Sequence, residues 1–123
     1  VLPPARVGVD AALRVQLGDS ALRSAVENAL LRAIVTGPAA LFDPARLTFG
    51  EAVWLSQVVA AAAGVAGVTW VQPLGFQRWS PYPRPAAVHE ALPMGAHEVA
   101  VLQNDPAARW MGTLTLELRG GVG

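Results

Sequence analysis

The chain has 123 residues, and its length and composition exclude several classes of protein. This length is sufficient for one domain with its own core. Nine basic and nine acidic residues cancel, so no net charge favours binding to nucleic acid or to an anionic membrane. The absence of cysteine excludes disulfides and thiolate metal sites. Charged residues make up 15% of the chain, below the roughly 25% of typical soluble domains, which favours a domain that buries faces against partners.

The beginning of the chain predicts a strand followed by a helix. From Val7 to Leu17, apolar residues alternate with polar or small ones, as in a strand with one buried face. Asp19 or Ser20 is positioned to cap the next helix. Apolar residues then recur three and four positions apart from Leu22 to Ile34, which predicts an amphipathic helix. We expect Gly37, followed by proline, to end this helix in a left-handed cap.

The middle of the chain predicts a turn, a second helix and a second strand. Residues 39–49 form a connection whose Phe-Asp-Pro sequence favours a turn. The second helix is expected from Gly50 or Glu51 to Ala63, with these candidates for its buried side: Val53, Trp54, Val58, Ala61 and Ala62. A strand follows from Gly67 to Gln72, and Pro73 and Gly75 interrupt its possible extension through Trp79.

The end of the chain predicts an extended loop and two strands. The segment Ser80–Pro93 contains four prolines, which favour an extended, poorly hydrogen-bonded loop. Strands are expected over His97–Gln103 and Thr113–Arg119, with 104–112 as a long hairpin loop. The order β-α-α-β-β-β predicts one α+β domain over residues 1–123, with a small mixed sheet of about four strands and two helices on one face. The longest apolar run, Val58–Val68, is too short to span a bilayer, so we expect no direct membrane insertion.

The residues capable of catalysis or metal binding have simpler structural interpretations. His89 and His97 would need to converge with Glu90 or Glu98 to hold a metal, and no helical His-x-x-x-His spacing is present. No serine lies in a nucleophile elbow, and no glycine-rich phosphate loop follows a strand. The remaining candidate carboxylates are predicted turn formers or belong to a first helical turn or a strand face: Asp43, Glu51, Glu98 and Asp105. We therefore predict no enzyme, with no catalytic, cofactor-binding or metal-binding residue and no cofactor.

Two Arg-Trp pairs are the candidate interface residues. Arg78-Trp79 and Arg109-Trp110 both lie next to predicted loops. Tryptophan and arginine are the side chains most enriched at interface hot spots. The alternative is that each tryptophan covers an edge of the core, and the sequence leaves both interpretations open.

The ordered series of turns and strands resembles the C-terminal region of baseplate J-like proteins, which are wedge components of contractile phage tails and related injection systems. The resemblance covers nearly the whole chain and rests on these positions: Phe42, Asp43, Pro44, Phe49, Gly50, Leu55, Ser56, Gly67, Val68, Phe76, Arg78, Trp79, Glu98, Asn104, Asp105, Pro106, Gly112, Leu114, Gly120 and Gly121. The chain departs from the family pattern at Gln103, where an acidic residue is usual. It departs again at 107–111, which replaces a more polar loop.

The resemblance implies a structural role without catalysis. It implies that partners are other wedge subunits, either a J-like paralogue or copies of the same chain, together with sheath-initiator and tube-proximal baseplate proteins. It places the protein in the bacterial cytoplasm during assembly, within a particle that can be released. Since the chain starts at Val1 rather than methionine, we expect it to be the C-terminal domain of a longer wedge protein.

Two other classes of function stay open from the sequence. One is a stand-alone α/β module of ferredoxin-like type that binds a small ligand or a protein. The other is a lytic enzyme, which would need two facing carboxylates at a separation suited to hydrolysis, and the sequence offers no obvious pair.

Overall fold

The structure, a computed structural model, describes residues 5–46 and 48–123. The six strands are β1 (Ala5–Leu17), β2 (Val53–Trp54), β3 (Val68–Arg78), β4 (Ala91–Leu92), β5 (Glu98–Val101) and β6 (Thr113–Arg119). The two α-helices are α1 (Arg23–Leu31) and α2 (Leu55–Ala63). A π-helical turn, Arg32–Thr36, continues α1, and a 3-10 turn, Arg109–Met111, precedes β6. The α+β class and the two helices are confirmed.

The main sheet is organised around β1. On one side, β1 pairs antiparallel with β3 from Val9↔Arg78 to Leu17↔Val68. On the other side, β1 pairs in parallel with β5 and then with β6. The register between β1 and β3 shifts after Ala12: Gly75 pairs with Ala12 and Pro73 with Leu13, and Leu74 between them is the extra residue. The strand therefore continues through the proline to Arg78, one residue short of Trp79.

The segment between β5 and β6 is not a hairpin loop, so that prediction is wrong. Both strands run parallel to β1: β5 pairs with residues 5–8, and β6 pairs with 10–16. The chain leaves the sheet after β5 and returns to nearly the same place, because Gln103 N–H donates to the Met111 carbonyl at 2.8 Å and Asn104 N–H donates to the Gly112 carbonyl at 3.1 Å. The strand predicted over His97–Gln103 is shorter, and the one predicted over Thr113–Arg119 has the predicted bounds.

The core lies on one face of the main sheet, under the helices. The odd-numbered residues of β1 from Val9 to Leu17 are at most 3% exposed, which is the period-two pattern of a half-buried strand. Val26 and Leu30 of α1 and Val58 of α2 are buried in the same cluster. The largest fully buried side chain is Phe76, on β3. The even-numbered residues of β1 from Asp10 to Gln16 lie on the opposite face and are only partly buried.

Helix α1 begins and ends differently from the prediction. Its N-cap residue is Leu22, without a side-chain cap bond, so capping by Asp19 or Ser20 is wrong. Gly37 does end the helical segment, but in an extended conformation with φ −75°, not in a left-handed cap. Glycine is needed there because a Cβ atom would collide with the Arg32 carbonyl. The left-handed residue is Ala39, with φ 64°.

Helix α2 begins at Leu55, four or five residues later than predicted from Glu51 or Gly50. Val53 and Trp54 instead pair antiparallel with Leu92 and Ala91 in a second, two-stranded sheet. The Gln57 side-chain Oε1 accepts the Trp54 N–H at 2.9 Å and so fixes the start of the helix. Val53 is buried as predicted, but Trp54 is 51% exposed, so its placement on the buried side is wrong.

The Pro-rich segment Ser80–Pro93 is more ordered than the prediction of a poorly hydrogen-bonded loop. It follows the outer edge of β3, where Phe76 N–H donates to the Ala87 carbonyl at 2.7 Å and His89 N–H donates to the Phe76 carbonyl at 3.1 Å. The segment ends in β4. The prolines remove backbone donors at other positions and leave these bonds in place.

Candidate functional site

The two Arg-Trp pairs meet at one residue of β1. Trp79 N–H donates to the Gly8 carbonyl at 2.7 Å. The carbonyl of Trp110 lies so close to the Gly8 Cα that any Cβ atom would collide with it. Glycine at this position therefore allows the 3-10 turn to cross β1. We call the group Gly8, Arg78, Trp79, Arg109 and Trp110 the Gly8 junction.

The tryptophans of the Gly8 junction differ in burial. Trp110 is 55% exposed and lies outside the core. Trp79 is half-buried and is also absent from the core cluster of the described residues. Arg109 is exposed. The arrangement gives Trp110 the accessibility that a contact residue requires, whereas Trp79 contributes its backbone to the sheet and part of its ring to the surface.

Arg78 of the Gly8 junction is held by Glu98. The Arg78 Nη2 atom lies 2.8 Å from Glu98 Oε2, and a second bond joins Nη1 to Oε1 at 3.2 Å. The Gly95 N–H also donates to Glu98 Oε1, at 2.7 Å. The hydrogen bonds from Arg78, and then from Gly95, hold the pKa of the Glu98 carboxyl below its usual value. The Glu98 carboxylate thus stays charged and orients the guanidinium.

The Phe42-Asp43-Pro44 segment forms a side-chain-stabilised turn, as predicted for Asp43. The Asp43 carboxylate accepts the N–H groups of Ala45 at 3.0 Å and Ala39 at 3.2 Å. Phe42 is 3% exposed and anchors the segment in the core. Gly50 has φ 73° and donates its N–H to the Glu98 carbonyl at 2.9 Å. This last bond joins the turn to β5.

The Asn104-Asp105-Pro106 segment forms the second such turn. Asn104 adopts φ 53°, and its Oδ1 atom accepts the Leu114 N–H at 2.9 Å. Asp105 Oδ1 accepts the Ala107 N–H at 2.9 Å, the local bond that favours aspartate in turns. Gly112 closes the excursion with φ 94°. Asn104 and Asp105 therefore use their side chains to close the chain between β5 and β6.

Gly67 and Val68, two further positions of the resemblance, lie where β3 begins. The Gly67 carbonyl accepts the Gly18 N–H at 3.0 Å, and Gly67 itself has φ 93°. Val68 pairs with Leu17 at the end of β1. These residues end the antiparallel pairing, just beyond a second register shift between Gln16 and Leu17.

A groove of about 490 Å³ lies beside β5. The residues that line it include Phe42, Pro44 and Phe49 from the first turn and Val99–Gln103 from β5 and beyond it. Arg6 is the charged residue in the lining. The volume falls within the range of small-molecule pockets, roughly 300–1,000 Å³. The sequence did not predict this groove, since its walls come from parts of the chain that pairing with β1 brings together.

The histidines and carboxylates of the described residues do not gather into a metal site. His89 lines a small cavity of about 210 Å³ with Arg78 and Arg84, two cations that repel a metal ion. The backbone carbonyl of His97 accepts the Ala5 N–H at 2.8 Å. Among residues 5–46 and 48–123, no group of three potential metal ligands converges. Over the same ranges, neither helix is long and apolar enough to cross a membrane.

The open face of the main sheet carries a charged network. Glu117 of β6 lies 2.9 Å from Arg119 and 3.2 Å from Arg14 of β1. Arg14 also donates to the Gln72 side chain on β3, at 3.2 Å. The hydrogen bond from Arg119, followed by that from Arg14, holds the pKa of the Glu117 carboxyl below its usual value. Arg14 thus ties three neighbouring strands together.

Several exposed aromatic side chains were not among the predicted contact residues. Their exposed fractions are 44% for Trp70, 51% for Trp54, 59% for Phe49 and 77% for Tyr82. Trp70 lies on the open face, because its register partner is Gln16 of β1. Trp70 stands out as an aromatic residue that pairs with a polar residue of β1, but this is visible only once the strand pairing is known.

No known protein-family model and no curated protein matches this chain.

Proposed function

We propose that this domain is a structural assembly module, the C-terminal part of a baseplate J-like wedge component of a contractile phage tail or related injection system. The observation that carries the proposal is the use of the motif residues in closing the fold. Asp43, Glu98 and Asn104 each accept backbone N–H groups at a turn or strand junction. This structural use of the motif residues accounts for a series of motifs that contains no catalytic group.

The exposed residues of the Gly8 junction supply the contact chemistry for this role. Trp110 is 55% exposed, and Arg109 beside it is exposed too. Aromatic residues and arginine are the side chains that contribute most at protein interfaces. In this proposal the partners are other wedge subunits, either a J-like paralogue or copies of this chain, with sheath-initiator and tube-proximal baseplate proteins. Assembly takes place in the bacterial cytoplasm.

The test is co-purification of the tagged full-length gene product from its own cells, with mass spectrometry of the proteins that accompany it. We expect sheath, tube and other baseplate proteins. Trp110→Ala and Trp79→Ala are expected to weaken this association, whereas Trp54→Ala, at a similarly exposed position, serves as the control. A folded Trp110→Ala, Trp79→Ala double variant that assembles normally would contradict the contact role of the Gly8 junction. A solitary monomer would contradict the wedge assignment itself.

The groove beside β5 favours a second candidate, a small-ligand-binding module. Its apolar walls include Phe42, Phe49 and Val101, and Arg6 provides a cation for an acidic group on the ligand. Native mass spectrometry of the protein purified without denaturation tests this candidate. A bound small molecule that is lost in a Val101→Trp variant would support the binding module, and a ligand-free protein would contradict it.

A further inference from the structure

The two outer edges of the main sheet differ in their ability to accept another strand. At the outer edge of β3, Phe76 is already bonded to the 87–89 segment, and Pro73 has no N–H to donate. The register shift at Pro73 also makes that edge irregular. Covering, proline and irregularity are the usual means of protecting an edge strand from pairing.

Part of the outer edge of β6 has backbone N–H and C=O groups that form no hydrogen bond with any described residue, and we call this part the bare stretch. Successive residues of a strand direct their N–H and C=O groups to opposite sides. The Leu114 N–H bonds outward to Asn104, so Leu116 and Leu118 also direct their backbone groups outward. No described residue forms a backbone or side-chain hydrogen bond with the outward groups of Leu116 or Leu118. The stretch begins after Leu114, whose N–H is bonded to Asn104. It ends before Gly120, whose carbonyl accepts a hydrogen bond from Arg23 at 2.7 Å.

We propose that β6 pairs antiparallel with β6 of a second copy of this chain, about a two-fold axis at Leu118. The proposal names a subunit contact for the assembly role proposed above and rests on that role. The pairing joins the two sheets into one continuous sheet with both sets of helices on the same face. Since the β3 edge is protected, the association closes at two copies and does not extend into a fibre.

Hydrogen bonding selects this register. An axis at Leu118 pairs Leu118 with Leu118 of the second copy and Leu116 with Gly120 of the second copy. Leu116 and Leu118 carry the bare backbone groups. Gly120 follows the end of β6 and has φ 76°, and its carbonyl can accept a second bond beside the one from Arg23. An axis at Leu116 would instead require the Leu114 N–H, which Asn104 already holds.

Charge selects the same register. With the axis at Leu118, Glu117 of one copy lies opposite Arg119 of the second copy, and the pair occurs twice. Opposite charges directly across an antiparallel pair stabilise it, and like charges destabilise it. An axis at Glu117 would place two Glu117 carboxylates against each other. The half-buried Leu116 and Leu118 side chains would extend the apolar layer across the new pair.

A charge-swap experiment on the full 123-residue chain tests the proposal. Arg119→Glu makes the edge acidic, and Glu117→Arg makes it basic. We expect each variant alone to dissociate at about tenfold higher concentration than the unmodified chain. A 1:1 mixture of the two is expected to restore dimers, as heterodimers with two complementary pairs. Sedimentation velocity over a concentration series measures both effects, and far-ultraviolet circular dichroism checks folding. Thr69→Glu, an exposed residue on β3, is the control.

A cysteine at the axis provides a second measurement. The chain has no cysteine, so any disulfide in a single-cysteine variant joins two copies. Leu118→Cys is expected to cross-link under mild oxidation faster than Thr69→Cys, because facing residues in a hydrogen-bonded pair lie about 5.5 Å apart, within disulfide range. Faster cross-linking of the Leu118→Cys variant supports the axis, and equal rates for the two variants overturn it.

The outcomes separate the edge contact from the function. A monomer at all concentrations, or a dimer that neither charge variant affects, overturns the edge pairing even where baseplate proteins co-purify. A dimer that responds to the charge swap as expected, from a protein that co-purifies with no baseplate proteins, supports the pairing and contradicts the wedge assignment.

Discussion

Arg78 and Glu98 form a two-pronged ion pair between the end of β3 and the start of β5, with Arg78 Nη2 2.8 Å from Glu98 Oε2. The pair links two strands that lie on opposite sides of β1. The pair also joins Arg78, a candidate interface residue, to Glu98, a position of the family resemblance. Both side chains are partly exposed, at 43% and 27%, so solvent screens the pair.

The Glu98 carboxylate predicts a stability that falls at acid pH. Because the folded-state pKa of Glu98 lies below its ordinary value of 4.5, the stabilisation is present above pH 4.5 and is lost as pH falls through the folded-state pKa. Urea unfolding between about pH 6 and about pH 3 measures this. Glu98→Gln is expected to flatten part of the decline, with Glu117 responsible for part of the remainder. Glu90→Gln, at an exposed position, is the control, and an equal flattening there would contradict the assignment.

Phe76 is expected to contribute strongly to stability. It is fully buried between the sheet and the helices, so Phe76→Ala leaves a cavity and should cost about 3–5 kcal/mol of the free energy of unfolding. Denaturant unfolding checks this value. Trp110→Ala removes a larger side chain that is 55% exposed, and it should change stability by about 0.5 kcal/mol or less. A large loss from Trp110→Ala would show that Trp110 covers the core.

Asn104 combines a left-handed backbone with a side-chain bond, and three substitutions separate these contributions. Asn104→Gly keeps the backbone conformation but loses the bond to the Leu114 N–H, at a cost of about 1 kcal/mol. Asn104→Ala also strains the backbone and should cost about 1 kcal/mol more. Asn104→Asp retains an acceptor and should lie nearest the original. Thermal unfolding of the three variants gives the order, and equal stability of the glycine and alanine variants would contradict it.

Gly112 is expected to reject any side chain. Its φ is 94°, and a Cβ atom would lie 2.7 Å from both the Leu102 Cα and the Val101 carbonyl oxygen. Gly112→Ala should therefore displace β6 from β5 and cost at least about 3 kcal/mol. Gly64→Ala is the matched control, because Gly64 has φ −77° and a Cβ there meets no atom closer than 3.4 Å. Hydrogen exchange of the β6 amides measures the displacement, and similar protection in both variants would contradict it.

The sequence alone determined the elements whose signal is local. The period-two pattern predicted β1, the spacing of three and four predicted the helical segment from Leu22 to Ile34, and alternating leucines predicted β6 with its bounds. The turns at Asp43 and Asn104 were also readable, because their side chains bond to nearby backbone. Each of these signals depends only on residues close together in the sequence, so it can be recognised without knowledge of the fold.

Only the tertiary structure decided how the elements combine. The parallel pairing of β5 and β6 with successive parts of β1 could not be read from the sequence, since pairing depends on contacts between residues far apart in the chain. The late start of α2 has the same cause: pairing of Val53 and Trp54 with β4 overrides the local preference for helix. The Gly8 junction, the groove and the bare edge at Leu118 likewise exist only because β1 brings distant segments together.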